Sequence, residues 1–530
     1  MRQGDDSPLP PHARPSHILP RVLHAEEDRR SLLNPETTSD KEGSGRLGAD
    51  GGMSYHSLVP TYHVENFGCR ATQADGATLE RQFESRGLAR ASAAQADLVI
   101  LNTCTVTNSA DQDARAAIRR VQRHNPLAKI IVTGCYAQRA PEEIANLPGV
   151  TAVIGNSHKH QLAEIVLGER PREDTAFLPV STLTENLGRT EDSIFVSDIF
   201  AHTELLAAPV FEHTTHESDR TRPNLKVQDG CDNRCSFCII PSVRGHSRSL
   251  PLAQVIREMN TLVAAGYREV VISGINLGRW GRDLMWGGRP RLPKLTRSNA
   301  VQRFEDLIRA ILSETDLEKL RISSVEPMDW SDDLIALVAS SPRIAKHAHV
   351  PLQSGSDAVL RRMHRKYRPW HYREKIEKIR AAMPTAAIGA DVMAGFPGET
   401  DAEFDATRRL IADLPFTYLH VFTYSARPGT PAAGMPNQVP VQVARERNRI
   451  LRDLAAEKKL AFMQSLVGQS LQAITLNTAL DDSDGEFTEA LTDNYQKLYL
   501  KGHHRPNRWI TARVRAVRDE AFVADLMPTT

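Results

Sequence analysis

The chain has 530 residues, 41% apolar and 25% charged, a balance that can bury a large core over about three or four domains. Lys plus Arg number 66 against 65 Asp plus Glu, so the net charge of +1 carries no global signal for nucleic acid, a membrane or an acidic partner. No apolar run approaches the roughly 18 residues of a membrane span. Aromatics at 6% argue against broad base-stacking platforms, and six cysteines are too few for a disulfide scaffold.

Residues 1–57 read as a disordered extension. The first 52 contain no Phe, Trp or Tyr, carry Pro8, Pro10, Pro11, Pro15, Pro20 and Pro35, and close on Gly51 and Gly52. Such a segment cannot bury enough apolar surface to offset its ordering entropy. It lacks the continuous apolar stretch of a secretory signal, and Met53 offers an alternative start.

An α/β pattern begins at Tyr62. Buried strands are predicted at 62–67, 98–101, 130–132 and 153–154, with Ala114, Ile118 and Val121 as a helical stripe between two of them. Strands alternating with helices imply a parallel sheet, assigned to a domain over 58–168. Residues 169–216 read as a linker.

A second βα series follows over 217–455. Its strands are predicted at 225–227, 270–272, 320–322, 347–350, 388–392 and 418–422. Six repeats are too few for an eight-stranded barrel and suit a partial (β/α)6 barrel. Between them Leu252, Val255, Ile256, Met259, Leu262 and Val263 recur at helical spacing before Gly266, and Thr400 to Glu403 reads as a capping box. The Gly-, Arg- and Pro-rich stretch 281–303 reads as an inserted loop. Asp391 sits inside an apolar strand and calls for a buried polar partner.

From 456 to 530 short alternating runs predict a small β-barrel with an entry helix. It carries a basic run: Lys497, Lys501, His503, His504, Arg505, Arg508, Arg513 and Arg515. Such a run is ordinarily a solvated face and can also bind phosphates.

The chemistry is concentrated in Cys231, Cys235 and Cys238. Thiolates with three and then two residues between them select an iron–sulfur cluster or zinc. A 4Fe–4S cube needs four ligands, so three leave one iron open. Zinc would need a fourth donor, for which His246 is nearest. Cys69, Cys104 and Cys135 each follow a predicted strand, at intervals of 35 and 31 residues, about one βα unit each. In a parallel sheet such positions lie on one edge and can converge. Read singly, each is as readily a small buried hydrophobe.

The Cys231-Asp232-Asn233-Arg234-Cys235-Ser236-Phe237-Cys238 run resembles the radical S-adenosylmethionine (SAM) superfamily. The resemblance implies that the open iron chelates SAM and that an electron from the cluster cleaves it to a 5′-deoxyadenosyl radical. Ser273 and Gly274, after the second strand, stand where that superfamily holds the cofactor's amino group. Arg244, Glu326 and Gln353, near predicted strand ends, are further candidate cofactor contacts.

From residue 60 onward the motifs together resemble the methylthiotransferase family. They are Gly68-Cys69, Asn102-Thr103-Cys104 and Gly134-Cys135, then Gln228 to Cys238, Ile240 to Gly245, Ser323 to Pro327, His349 to Gly355 and Gly395 to Thr400. The end resembles the family's RNA-binding TRAM barrel, which implies RNA contact for Lys497, Lys501, Arg505, Arg508, Arg513 and Arg515. The family implies a second 4Fe–4S cluster on Cys69, Cys104 and Cys135, and two SAM molecules per turnover. Both clusters carry the chemistry, and no side chain is assigned as catalytic. Partners implied are a tRNA anticodon loop, a flavodoxin- or ferredoxin-type electron donor and a sulfur source, all in a reducing cytoplasm.

The segments after Cys104 and Cys135 look most similar to the branch that methylthiolates C2 of N6-threonylcarbamoyladenosine at position 37 of tRNA. Related branches act on isopentenyladenosine 37 or on a ribosomal-protein aspartate. One departure stands out: the family usually carries Asn about three residues after its first Cys, and here that position is Thr72. A two-cluster electron carrier would also explain six cysteines, but not the second βα series. A zinc-stabilised RNA-binding protein is the other alternative.

Overall fold

The computed structural model describes residues 59–168, 193–202, 221–284, 302–482 and 485–528. The N-terminal extension, most of the linker and most of the predicted loop 281–303 lie outside the described residues.

The first domain is a six-stranded parallel sheet. Its spatial order is Ala89–Arg90, Thr61–Asn66, Leu98–Thr103, Lys129–Gly134, Val150–Gly155 and Ile194–Phe195. The strand Leu98–Thr103 is buried on both faces, as helices on either side of a parallel sheet require. The last strand falls within the predicted linker. Residues 194–195 extend the sheet rather than merely join domains, because Val153 and Ile154 leave an unpaired edge for them.

In the register, Asn66 pairs with Asn102, Thr103 with Gly134, and Gly134 with Gly155. The strands therefore end level, and the residues just past them share one edge.

The central domain has two parallel sets of three strands. Asn224–Lys226, Glu269–Ser273 and Lys319–Ile322 form one, and His347–His349, Ala387–Ala394 and Tyr418–Thr423 the other. Single bridges from Leu320 to Ile344 and from Ser324 to His349 link the sets. The result is the expected six-stranded partial barrel.

Alternation along these strands separates two faces. Val270, Ile272, Leu320, Ile322, Ala348, Ile388, Ala390 and Val392 join the core beneath the helices. Glu269, Ser273, Lys319, Arg321, His347, His349, Asp391, Tyr418 and His420 take the opposite face, so the inner face of the barrel is markedly polar. The Thr400 capping box is present: Glu403 N donates to Thr400 Oγ1, and Thr400 N to Glu403 Oε2.

The C-terminal domain is a closed five-stranded barrel in the order Ser470–Asp482, Gly485–Thr492, Lys497–Lys501, Ala521–Leu526, Trp509–Arg518. The helix Val441–Ser465 leads into it and runs unbroken through the division expected at 455/456. Arg447 and Leu451 bury it against the central domain, and Met463 packs into the barrel core. No described helix is long and apolar enough to cross a membrane.

Candidate active site

Gly230 turns the chain from the short strand Gln228–Asp229 into the three-cysteine loop at φ +67°. A Cβ there would collide with the main-chain oxygen of His246, so only glycine fits. Cys231 N donates to Gly245 O at 3.1 Å and Cys238 N to Cys235 O at 3.1 Å, which closes the loop. Ser236 pins it below, its Oγ donating to Arg362 O at 2.7 Å.

Donors point at the sulfurs. Asn233 N lies 3.4 Å and Asn276 Nδ2 3.7 Å from Cys231 Sγ, and Arg365 Nη1 lies 3.3 Å from Cys235 Sγ. Burial, then the neighbouring cysteines, pushes Cys238 up to about 12, and burial raises Cys231. A metal binds the thiolate, so binding at these raised thiols would release their protons.

A shallow cleft opens beside Cys235, lined by Asn233, Arg279, Glu326, Arg365 and Tyr367 among others. His246, the donor a zinc site would need, is exposed, and its Nδ1 is 2.9 Å from Asp232 Oδ1. Among the described residues, no three His, Cys, Asp or Glu side chains form a group fitted to one metal ion. A cube spreads its thiolates over separate irons, and this donor set fits it.

Gln228 ties the loop to the cofactor turn. Its Oε1 accepts from Asn276 N at 2.7 Å, and its Nε2 donates to Gly230 O at 2.9 Å. Ser273 ends its strand with a buried Oγ that has no partner among the described residues, and Gly274 packs against Gln228 with no room for a Cβ. Glu326 reaches the same cleft and accepts from Arg365 Nη2. Gln353 sits at φ +63°, bridged to Val392. Arg244 is elsewhere: its guanidinium is occupied by Asp229 and Asp75 at the seam with the first domain, not by the cofactor turn. His349 Nε2 lies 3.4 Å from Asp391 Oδ1 without a hydrogen bond between them, so the partner expected for Asp391 is met only at ion-pair distance.

The other three cysteines lie just past the level strand ends. Cys69 caps the helix Arg70–Glu84, Cys104 follows Leu98–Thr103, and Cys135 opens the helix Cys135–Arg139. A Cβ at Gly68 would strike Cys104, so the glycine permits this approach. Cys104 is pushed up to about 12 by burial, then by Cys135 and Cys69. Thr72 Oγ1 lies 3.5 Å from Cys69 Sγ and supplies a polar partner where the family pattern has Asn.

Asn156, which no sequence motif marks, donates to Cys135 Sγ at 3.5 Å and to Val243 O at 2.7 Å. Cys135 shares an apolar patch with Ile239, Ile240 and Val243, and Cys231 and Cys238 border the same patch. The segment just past Cys238 thus touches both cysteine sets. A second buried seam joins Arg427 to Asp111, Thr105 and Asn108, beside Cys104. Neither seam had a signal in the sequence beyond isolated charged residues.

The six basic residues of the terminal barrel are all exposed. They do not form one stripe. Lys497 pairs with Glu489 at 3.1 Å, and Arg515 with Asp525 at 2.5 Å. The strand Ala521–Leu526 separates Lys497 and Lys501 from Arg513 and Arg515. Among the described residues, Lys501, Arg505, Arg508 and Arg513 have no ion-pair partner.

A three-cysteine loop at the C-terminal mouth of a partial parallel barrel defines a radical SAM protein, and the Radical SAM superfamily matches residues 225–411. The uncharacterized protein family UPF0004 matches residues 61–155. The chain is 35% identical over 447 residues to a threonylcarbamoyladenosine tRNA methylthiotransferase MtaB from Bacillus subtilis, covering 84% of this chain and 91% of that one. It is also 35% identical to a tRNA-2-methylthio-N(6)-dimethylallyladenosine synthase from Novosphingobium aromaticivorans, covering 78% and 86%. In fold it is similar to the radical SAM methyltransferase TsrM from Kitasatospora setae, with a TM-score of 0.50 and 16% identity over 71% of this chain and 75% of that one. The chain belongs to the tRNA methylthiotransferase family of radical SAM enzymes.

Proposed function

We propose that this protein methylthiolates C2 of N6-threonylcarbamoyladenosine at position 37 of tRNA. The observation that carries the reading is the meeting of both cysteine sets on the segment Ile239 to Arg244. The residues that would hold the two centres therefore face one segment, so that a substrate could be within reach of both. An aromatic C–H offers no acidic proton to a general base, which is why the chemistry needs a radical.

Cys231, Cys235 and Cys238 would hold a 4Fe–4S cluster with SAM on its open iron, and Cys69, Cys104 and Cys135 a second cluster. When bound, the first supplies the electron that cleaves SAM. The chain's own residues do the positioning. Gln228 fixes the cysteine loop against the Ser273-Gly274 turn, where backbone groups can receive the cofactor's amino group. Arg365 and Asn276 donate to the sulfurs. The polar inner face of the barrel, with His349, Asp391 and His420, lies below this mouth and offers hydrogen-bonding groups to a purine. Arg505 and Arg508 of the terminal barrel would bind tRNA phosphates. A low-potential flavodoxin or ferredoxin would supply electrons, a separate donor the sulfur, and the cytoplasm the reducing setting.

The likeness to the dimethylallyladenosine synthase favours a second reading, in which the substrate carries an isopentenyl group. Mass spectrometry of tRNA nucleosides from a deletion strain decides between them. The expected result is loss of the methylthio derivative of threonylcarbamoyladenosine alone. Loss of only the isopentenyl derivative overturns the proposed substrate. Loss of neither overturns tRNA methylthiolation altogether.

A further inference from the structure

The helix Ile240–Arg244 ends on a buried guanidinium, one residue past Val243, which shares an apolar patch with Cys135. Arg244 is 2% exposed. Its Nη1 donates to the two oxygens of Asp229 at 2.9 and 3.0 Å, and its Nη2 to Asp75 at 2.9 Å. Its Nε is buried and has no hydrogen-bond partner among the described residues. A buried donor left unmet on a charged group is unfavourable.

The surroundings are also short of negative charge. Lys159, Lys226 and Arg244 share the carboxylates of Asp75 and Asp229, three basic groups on two acids. A buried cation left over in a low dielectric is unfavourable unless an anion completes the group. Burial by itself would lower the pKa of Arg244, and Asp229, Cys135, Asp75 and Cys69 together overcome it and raise it well above its ordinary value. Asp75 lies on the helix Arg70–Glu84 that Cys69 caps, which sets this charge group beside the first cysteine set. Lys159 adds a bond to Asn102 at 3.1 Å, two residues before Cys104.

We propose that Arg244 is a positioning residue for the cluster on Cys69, Cys104 and Cys135, its buried charge offsetting the cluster's negative charge and raising its reduction potential. This rests on the two-cluster reading above. A thiolate-bound cluster gains one more negative charge on reduction, so a fixed cation nearby stabilises the reduced form more than the oxidised form.

The test uses the full chain with Cys231, Cys235 and Cys238 changed to Ala, so that only one cluster remains. The protein is reconstituted anaerobically, its iron and sulfide are counted, and its midpoint potential is followed by electron paramagnetic resonance. Arg244→Gln is expected to move the potential to more negative values, and Arg244→Lys to stay near the parent. A purely structural role would lower thermal stability and leave the potential in place. A loaded Arg244→Gln protein with an unmoved potential overturns the proposal. Should Arg244→Gln not fold, Lys159→Met, which removes another cation of the group, is read the same way. A parent that binds no iron refutes the cluster reading itself, a result distinct from an unmoved potential.

Discussion

Arg321 Nη1 donates to the main-chain oxygen of Asp493 at 3.0 Å, which fastens a turn of the terminal barrel into the base of the central one. Nη2 reaches Thr492 O at 3.2 Å, and Nε bonds Glu269 at 2.6 Å. Tyr495, at φ +66° in the same turn, lies under the guanidinium and against the His347 ring, and its hydroxyl accepts from Arg70 of the first domain at 3.2 Å. One side chain thus connects three parts of the chain at the floor of the polar inner face.

Removing that connection leaves Glu269 buried with only Arg222, 3.7 Å away, to balance it among the described residues. Arg321→Ala is expected to destabilise the protein by about 3 kcal/mol, toward the low end for breaking a buried pair. Denaturant unfolding measures the loss. A change under about 1 kcal/mol would show that the pair adds nothing beyond a surface ion pair.

His347 imposes an acid limit. It is buried and its Nε2 lies 2.6 Å from Tyr418 Oη. Burial, then Arg321 and His349, holds its pKa well below 6.5. The unfolded chain takes up the proton first, so this contribution to stability is complete above pH 6.5 and is lost as the pH falls below it. The slope reaches about 1.4 kcal/mol per pH unit. In melting curves between pH 7 and 5, His347→Phe should lose less stability on acidification than the parent. Parallel curves would show that His347 titrates normally.

Gly230→Ala tests the loop geometry. The added methyl group meets the His246 carbonyl, which cannot move without disturbing the Gly245 contact to Cys231. The reconstituted variant should lose the radical SAM cluster and its four irons, keep about four on the other set, and release no deoxyadenosine. Full iron content would show that the loop accommodates a side chain.

Of the four proposed RNA contacts without a partner charge in the described structure, Lys501, Arg513, Arg505 and Arg508, the last two make the test. Changing both to Gln should weaken tRNA binding and reduce the slope of log affinity against log salt by about 0.7–0.9 for each phosphate no longer neutralised. Changing Lys497 and Arg515, already paired with Glu489 and Asp525, should do less. Equal effects across a salt series would restore a single continuous basic stripe.

The sequence by itself determined the main parallel strands, the partial barrel and the grouping of six cysteines into two sets of three, but not the edge strands Ala89–Arg90 and Ile194–Phe195. Those signals are local: apolar alternation, βα spacing and a loop only eight residues long, Cys231 to Cys238. Only the tertiary structure decided what the charged side chains do. Arg244 reads from its motif as a cofactor contact, yet its partner Asp75 is 169 residues away. The basic run of the terminal barrel is continuous along the chain but divided in space, because strand order places Ala521–Leu526 between its halves. Spacing along a chain predicts which residues share an edge. Which opposite charges meet once water is excluded depends on contacts that only the folded chain makes.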